Sequence, residues 1–444
     1  MQDKSTPKTK SESNATTTQS LPTAQSCLTT QSSPTIQFNP TPSPAAARVS
    51  LVRCPAYEKD QLYPAIQKAL DLLGGISQFI KPQDRVLVKV NHLPPPSAPE
   101  RGIVTHPVFV EQVLIILKES GLGAKVRVGD DIALDPCDGF AVSGLRQVCD
   151  RLGVECLSFR EEGFKHVAIP NGKSLKETHL ARAVLETDVV INLPKFKTHS
   201  LAVFTGAVKN IYGCLPSGLR VRYHAQFQGE ERFNSLLADL FTAVRPQLNI
   251  MDAVVGMEGE GPANGDTRRI GLILASADAV ALDRVALAVA GIDHELVFHL
   301  KDAARRGAGV YQLEQIQVMG ERLEAVRIPD FRISHTSLGS IKKWMPDFLF
   351  GAICRQFEAR PRVIPAKCRG CGACVGVCPA DAIRIDSSFS PSGLARIDKR
   401  CCLACMCCHE ACRYGAIVPQ RKLAGRLLSA GARSLRRLRR HISS

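Results

Sequence analysis

Ten cysteines crowd into residues 366–420, and eight of them fall into two copies of one spacing. Cys368, Cys371, Cys374 and Cys378, followed by Pro379, read C-x2-C-x2-C-x3-C-P, and Cys402, Cys405, Cys408 and Cys412 repeat the interval. Three thiolates so spaced can wrap three corners of an iron–sulfur cube, while the fourth cysteine turns away to complete a second cube. The expected ligand sets are Cys368, Cys371 and Cys374 with Cys412, and Cys402, Cys405 and Cys408 with Cys378, for two [4Fe–4S] clusters. Structural zinc sites set cysteine pairs at longer separations, so zinc is the lesser reading. The half-repeat runs on, with Asp381-Ala382-Ile383 matching Gly415-Ala416-Ile417. Cys401 and Cys407 are left over as packed or sulfur-adjacent thiols, since using Cys401 as a ligand would break the spacing. The other seven cysteines read as small hydrophobes or bystanders.

A second group of reactive side chains follows short apolar runs. Lys89 and Asn91 end Val86–Val90, and Asp130 and Asp131 follow Lys125–Gly129. Lys195, Lys197 and His199 follow Asp188–Leu193, and Asp252 ends Leu248–Val254, ahead of a glycine-rich stretch from Glu258 to Gly265. Lys89, Asn91 and Asn210 are candidates for holding an anionic ligand, and Lys195, Lys197, His199, Lys209 and Glu258 are candidates for acting on it. The glycines at 259, 261 and 265 permit a turn whose N–H groups could cradle an anion. His199, His224 and Glu258 could bind a metal, which spacing alone does not decide. Asp278 is expected to cap a helix. Asp283 is open between a lysine's buried partner and a surface charge, and His106, before Pro107, is expected in a turn or cap.

The elements that position these residues alternate in type. Further strand candidates are Val154–Phe159, Ile270–Ala275 and Ile316–Met319. Helical periodicity marks Pro107–Glu119, Phe140–Leu152, Thr178–Glu186, Arg232–Val244 and Ala279–Ala290. Near-continuous apolar strands between amphipathic helices predict an α/β fold with a mostly parallel sheet and flanking helices. Ligands of such sheets bind beyond the carboxyl ends of the strands, where the polar candidates fall. No G-x-G-x-x-G follows the first strand and no Walker A motif is present, so nicotinamide and P-loop nucleotide sites are not supported.

The cysteine module resembles a bacterial-type two-cluster ferredoxin domain, a small α+β unit. The run Cys402-Leu-Ala-Cys-Met-Cys-Cys-His-Glu-Ala-Cys412 resembles the module at the C-terminus of proteins of the domain of unknown function 362 family. The resemblance extends over about 84–292, through Val88-Lys-Val-Asn91, Thr105-His-Pro107, Val128-Gly-Asp130 and Ile191-Asn-Leu-Pro-Lys-Phe-Lys-Thr-His199. Thr205-Gly-Ala-Val-Lys-Asn210, Met257-Glu-Gly-Glu-Gly-Pro262 and Asp278-Ala-Val-Ala-Leu-Asp283 continue it in order. It implies fold and cluster content but no substrate. The expected organisation is a disordered, low-complexity segment over 1–47 and an α/β domain over 48–320. A connector over 321–365 contains an interdomain helix at Ile341–Phe357. The ferredoxin-like domain occupies 366–420 and a basic tail 421–444.

The chain of 444 residues has 57 Lys plus Arg against 42 Asp plus Glu, a net charge of +15. Eight of the basic residues lie beyond 420 with no acidic partner, so the body is only modestly basic. With aromatics at 5% and no interleaved basic and aromatic groove, nucleic acid is not expected as a partner. The longest apolar stretch contains Asp278, Asp283 and Arg284, which argues against a transmembrane helix. The first thirty residues lack the apolar core of a secretory signal. Seventeen cysteines without an export signal point to reduced thiols and a cytoplasmic location. The tail adds an expected peripheral contact with an anionic membrane.

Three functional readings follow. In the first, two clusters feed an α/β domain that binds an unidentified anionic substrate or partner. A redox partner protein or low-potential donor supplies the electrons, as in a ferredoxin-coupled oxidoreductase. The second is a non-enzymatic docking or assembly module carrying a ferredoxin. The third is a hydrolase or transferase with purely structural clusters. The first requires a cluster within electron-tunnelling range of the polar pocket, and a long separation would demote it.

Overall fold

Runs of Val, Ile and Leu bounded by polar turns build one ten-stranded sheet. The computed structural model describes residues 47–93, 96–121, 126–132, 138–227, 230–334, 360–376, 378, 380–389, 393–402 and 407–420. All of them belong to the unit Pro34–Ser444. The first strands are β1 (Ala47–Arg53), β2 (Val86–Lys89), β3 (Val126–Asp130), β4 (Glu155–Ser158), β5 (Phe164–Ala168) and β6 (Glu177–Ala181). They are followed by β7 (Val189–Asn192), β8 (Lys195–His199), β9 (Val203–Thr205), β10 (Leu248–Glu258), β11 (Asp266–Ser276) and β12 (Ile316–Gly320).

The sheet runs β12-β1-β11-β10-β7-β2-β3-β4, with β8 pairing both β10 and β9, and β5 with β6 forms a separate hairpin. The five strands β10, β7, β2, β3 and β4 are mutually parallel. From β2 the chain moves outward to β3 and β4, then returns to place β7 and β10 on the other side of β2. The carboxyl ends of β2 and β7 are therefore the topological switch point, where open α/β sheets bind ligands.

Period-two alternation divides the core. Leu87, Val190, Met251 and Leu274 pack with the helices Glu230–Ala243 and Ala279–Val289. Val86, Val88, Ile191, Ile250 and Ile273 pack on the other side with Lys59–Asp71, Pro107–Glu119 and Leu145–Leu152. A one-residue slip in any strand would exchange the two faces, so the register is firmly specified.

Two expected helices change. Thr178–Glu186 begins as β6, because Thr178 and Leu180 are buried while Glu177 and His179 are exposed, and only Arg182–Leu185 is helical. Phe140–Leu152 is divided at Gly144, whose φ of 80° separates Gly139–Val142 from Leu145–Leu152. The start of the expected connector packs on the α/β domain, where Ile328 N–H donates to Val289 O at 2.7 Å and Phe331 meets Phe196 edge-on. Ala47 opens β1. The rest of the expected disordered segment, the helix at Ile341–Phe357 and the tail at 421–444 lie outside the described residues.

The C-terminal module is two interleaved halves. β13 (Arg360–Val363) pairs antiparallel with β16 (Ile417–Gln420), and β14 (Ile383–Asp386) with β15 (Leu394–Ile397). Asp381 (φ 46°) and Gly415 (φ 57°), the matched residues of the two halves, both take the left-handed conformation. The sequence half-repeat is thus a repeat of backbone geometry.

Candidate functional site

In the cysteine module, Cys374 has three other cysteines acting on it. Burial, with Cys371, Cys412 and Cys368 close enough to act on it, pushes the Cys374 thiol up to about 11. These four are one of the two expected ligand sets. Four cysteine sulfurs are the donor chemistry that an iron–sulfur cluster takes, so this set fits one. Backbone N–H groups already point at ligand sulfurs: Ala382 to Cys378 Sγ and Ala416 to Cys412 Sγ, each at 3.2 Å, and Ala395 to Cys368 Sγ at 3.5 Å. The first two occupy equivalent places in the half-repeat. Cys402 and the partly apolar-packed Cys408 and Cys378 belong to the same module, and Cys405 lies outside the described residues.

Beyond β2 and β7 opens a cavity of about 470 Å³. Asn91 and His92 follow β2, Arg160 follows β4, and Lys197 and His199 come from β8. Thr205, Lys209 and Asn210 come from β9 and the turn Ala207–Asn210, and Arg220 and His224 from the helix Ser217–Gln226. The remaining wall belongs to the cysteine module, through Gly376, Cys378 and Ala411. Cys378, an expected cluster ligand, thus forms part of the pocket surface.

The cavity is basic. Arg160, Lys197, Lys209 and Arg220 face it, and its one carboxylate, Asp130, is paired with the buried Lys89 at 2.9 Å. Asp131 bridges Arg160 at 2.8 Å and Arg220 at 2.6 Å, which fixes both guanidinium planes. Such pre-set forks suit carboxylate or phosphate oxygens. Lys197 Nζ donates to Ile103 O at 2.8 Å, and Lys209 Nζ lies 5.7 Å from the Tyr212 ring centre. Burial, reinforced by Lys197, Lys89 and Arg220, pushes the His92 imidazole down to about 3, so it stays neutral.

Asparagines position the polar edge. Asn91 Nδ2 donates to Asn210 Oδ1 at 3.0 Å, Asn210 Nδ2 to Asn192 Oδ1 at 2.7 Å, and Asn192 Nδ2 to Asn249 Oδ1 at 2.9 Å. Asn91 Oδ1 and Thr205 Oγ1 are buried without a partner among the described residues. Such acceptors are expected to meet a ligand or water. The Lys209–Asn210 turn is anchored by Asp283, which accepts from Ala207 N at 2.6 Å and Val208 N at 3.0 Å. That resolves Asp283 as a backbone anchor. Asp278 caps its helix through Val280 N and Ala281 N, both at 2.9 Å.

The structure brings Asn91, Lys197, His199, Lys209 and Asn210 together and leaves Lys89, Lys195 and Glu258 outside the cavity lining. Lys89 lies beneath the floor, where a Cβ on Gly213 would come within 2.7 Å of its Nζ. Lys195 belongs to a buried knot, donating to Asp252 and to Tyr57 Oη at 2.7 Å each, while Tyr57 Oη donates to Asp252 at 2.7 Å. His106 stacks on Tyr57 at 3.7 Å and caps the next helix.

Glu258 is gripped by Arg332 through Nε at 2.9 Å and Nη2 at 2.8 Å. His199 Nδ1 accepts from Leu201 N and Ala202 N. Among the described residues no group of three His, Cys, Asp or Glu is set to hold a single metal ion.

The expected anion cradle at 259–265 has another role. Gly259 N–H donates to Arg332 O and Gly261 N–H to Gly259 O. Gly261 is required because a Cβ there would sit 2.2 Å from Thr198 O. Asn264 Nδ2 donates to His409 O at 2.9 Å, so the loop seats the cysteine module beside the cavity. Sequence reasoning missed Arg160 and Arg220. Arg160 stands two residues past β4, where the strand-end rule would have found it, whereas nothing local marks Arg220.

Thiol spacing, N–H···S bonds and the interleaved halves define an iron–sulfur protein, and residues 367–416 match the 4Fe-4S dicluster domain, which carries two [4Fe–4S] clusters. Residues 86–288 match the Domain of unknown function (DUF362). A thylakoid-associated protein of Synechocystis sp. is 34% identical over 247 residues, covering 55% of this chain and 75% of that one. The chain belongs to the DUF362 family. One subunit of the H2:CoB-CoM heterodisulfide,ferredoxin reductase of Methanothermobacter marburgensis is 36% identical over 76 residues, 14% of this chain and 12% of that one. A crystal structure of a Thermotoga maritima protein matches 57% of this chain and 60% of that one at 11% identity, but its TM-score of 0.32 carries no argument.

Proposed function

We propose that this protein transfers electrons to an anionic small molecule held in the basic cavity at the carboxyl edge of the sheet. The observation that carries the reading is Cys378, which lines a cavity otherwise faced by Arg160, Lys197, Lys209 and Arg220. In this reading Cys368, Cys371, Cys374 and Cys412 hold one cluster, and Cys402, Cys405, Cys408 and Cys378 the other. When bound, the clusters supply single electrons at low potential. The α/β domain supplies the rest. Arg160 and Arg220, oriented by Asp131, grip the anion, while Lys197 and Lys209 balance its charge. Asn91 Oδ1 and Thr205 Oγ1 accept its hydroxyl or amide protons, and neutral His92 completes the wall.

The cavity volume suits a small metabolite. The partial match to a reductase subunit supports electron transfer over purely structural clusters. Titration calorimetry with pyrophosphate and citrate as probes tests the site. Binding should weaken with salt, and Lys209→Gln and Arg220→Gln should each weaken it about tenfold, the loss of one charge-assisted bond. Equal affinity in wild type and both variants would contradict it.

The thylakoid association in the name of the Synechocystis relative, with the basic tail, supports peripheral contact with an anionic membrane. Deleting 421–444 should then abolish salt-sensitive binding to phosphatidylglycerol vesicles. Equal binding by both forms would sink that idea.

A further inference from the structure

The cysteine module also exposes side chains that do not line the cavity. Cys371 is exposed, as are Lys367, Arg369 and Arg413, which lie beside ligand cysteines in the chain. Lys367 and Arg369 bracket Cys368, and Arg413 follows Cys412. All three cations are therefore next in the chain to members of one expected ligand set, Cys368, Cys371, Cys374 and Cys412. None of the three has an ion-pair partner among the described residues. Two of the module's acidic residues are committed elsewhere, Asp398 to Arg400 at 2.9 Å and Asp386 to Arg396 at 3.0 Å. Across 360–420 there are nine Lys or Arg against four Asp or Glu.

The same region carries exposed apolar surface. Val142, Val375 and Tyr414 are the exposed large hydrophobics among the described residues, and two of them flank ligand cysteines. Val375 follows Cys374, and Tyr414 stands two residues past Cys412. Exposed apolar side chains together with unpaired cations beside an exposed cysteine are the composition of a transient protein interface.

We infer that this face docks an acidic protein electron carrier, so that electrons enter beside Cys371 and leave beside Cys378. The inference rests on the proposed reading in requiring reducible clusters, but not on what the cavity binds. An acidic carrier fits because complementary charge accelerates encounter, and a brief redox contact needs only a small area. A small cationic reductant gains nothing from the basic rim, which separates docking from cluster chemistry.

The test is stopped-flow reduction of the full-length holoprotein by a reduced acidic [2Fe–2S] ferredoxin, with methyl viologen radical as the small donor. The ferredoxin rate should fall about tenfold or more as salt is raised from low to well above physiological ionic strength. Joint Arg369→Glu and Arg413→Glu replacement should cost about tenfold at low salt, and the Gln pair should fall between. Methyl viologen should reduce all three forms equally or faster in the variants. A salt-independent ferredoxin rate, or one equal in all three forms, overturns the docking face. So does a parallel loss with methyl viologen, or charge reversal that removes vesicle binding while sparing the ferredoxin rate. Failure of methyl viologen to reduce even the wild type would instead defeat the electron-transfer reading.

Discussion

Lys89 and Asp130 meet at 2.9 Å with both side chains withdrawn from water, directly under the cavity floor. Such a pair is weak evidence of net stabilisation, because desolvation offsets the attraction, yet removing one partner strands a buried charge. Lys89→Ala should therefore cost about 3–5 kcal/mol, whereas Lys89→Met with Asp130→Leu should cost much less; denaturant titration distinguishes them. Equal losses would show that the pair is not isolated from solvent. Asp283 poses a different problem. Burial raises its carboxyl to about 7 against two N–H groups that favour the anion. The folded protein then keeps a proton that the unfolded chain loses near pH 4, so this contribution to stability is full below that pH and lost as pH rises through 7. Asp283→Asn cannot titrate. Its stability deficit relative to wild type should narrow between pH 5 and 7.5, by at most about 1.4 kcal/mol per pH unit. A deficit that is constant or grows with pH, measured by thermal unfolding, would place the carboxyl in its ordinary range.

At the scale of elements, the loop between β10 and β11 couples the two parts of the molecule through Asn264 and His409. Asn264→Ala should leave iron content unchanged but speed hydrogen exchange at 259–265, since it removes one net hydrogen bond of about 1 kcal/mol. Unaltered exchange would show that the contact does not hold the module. This loop also marks where sequence legibility ended. Its glycines signalled close backbone approach, but not whether an anion or Thr198 was the neighbour. The strands at Val86–Val90, Asp188–Leu193 and Leu248–Val254 were legible because buried parallel strands are apolar on both faces. Thr178–Glu186 was not, because its short alternation is satisfied by a hairpin partner, β5, distant from the helical signal. Lys197 and His199 were legible from their place after an expected strand, and Lys209 and Asn210 from the stretch Thr205-Gly-Ala-Val-Lys-Asn210. Arg220 was not, since it reaches the cavity from a helix whose placement is set by tertiary packing and by Asp131.

At the scale of the molecule, two domains share one wall. The α/β domain offers cations at the switch point of its sheet, and the cysteine module closes the cavity with Cys378. In the proposed ligand sets the fourth cysteine crosses between halves, so Cys378→Ser should damage the cluster of Cys402, Cys405 and Cys408 and spare that of Cys368. Iron and acid-labile sulfide should fall from about eight of each per chain towards four. The most direct test of the shared wall is an EPR-monitored redox titration of the anaerobic full-length protein with and without pyrophosphate. Both clusters should reduce, and pyrophosphate should shift the midpoint and spectrum of the one cluster that Cys378→Ser removes, with about tenfold more pyrophosphate needed for the same shift in Arg220→Gln. Clusters that cannot be reduced, or spectra and midpoints indifferent to the anion, would contradict the account.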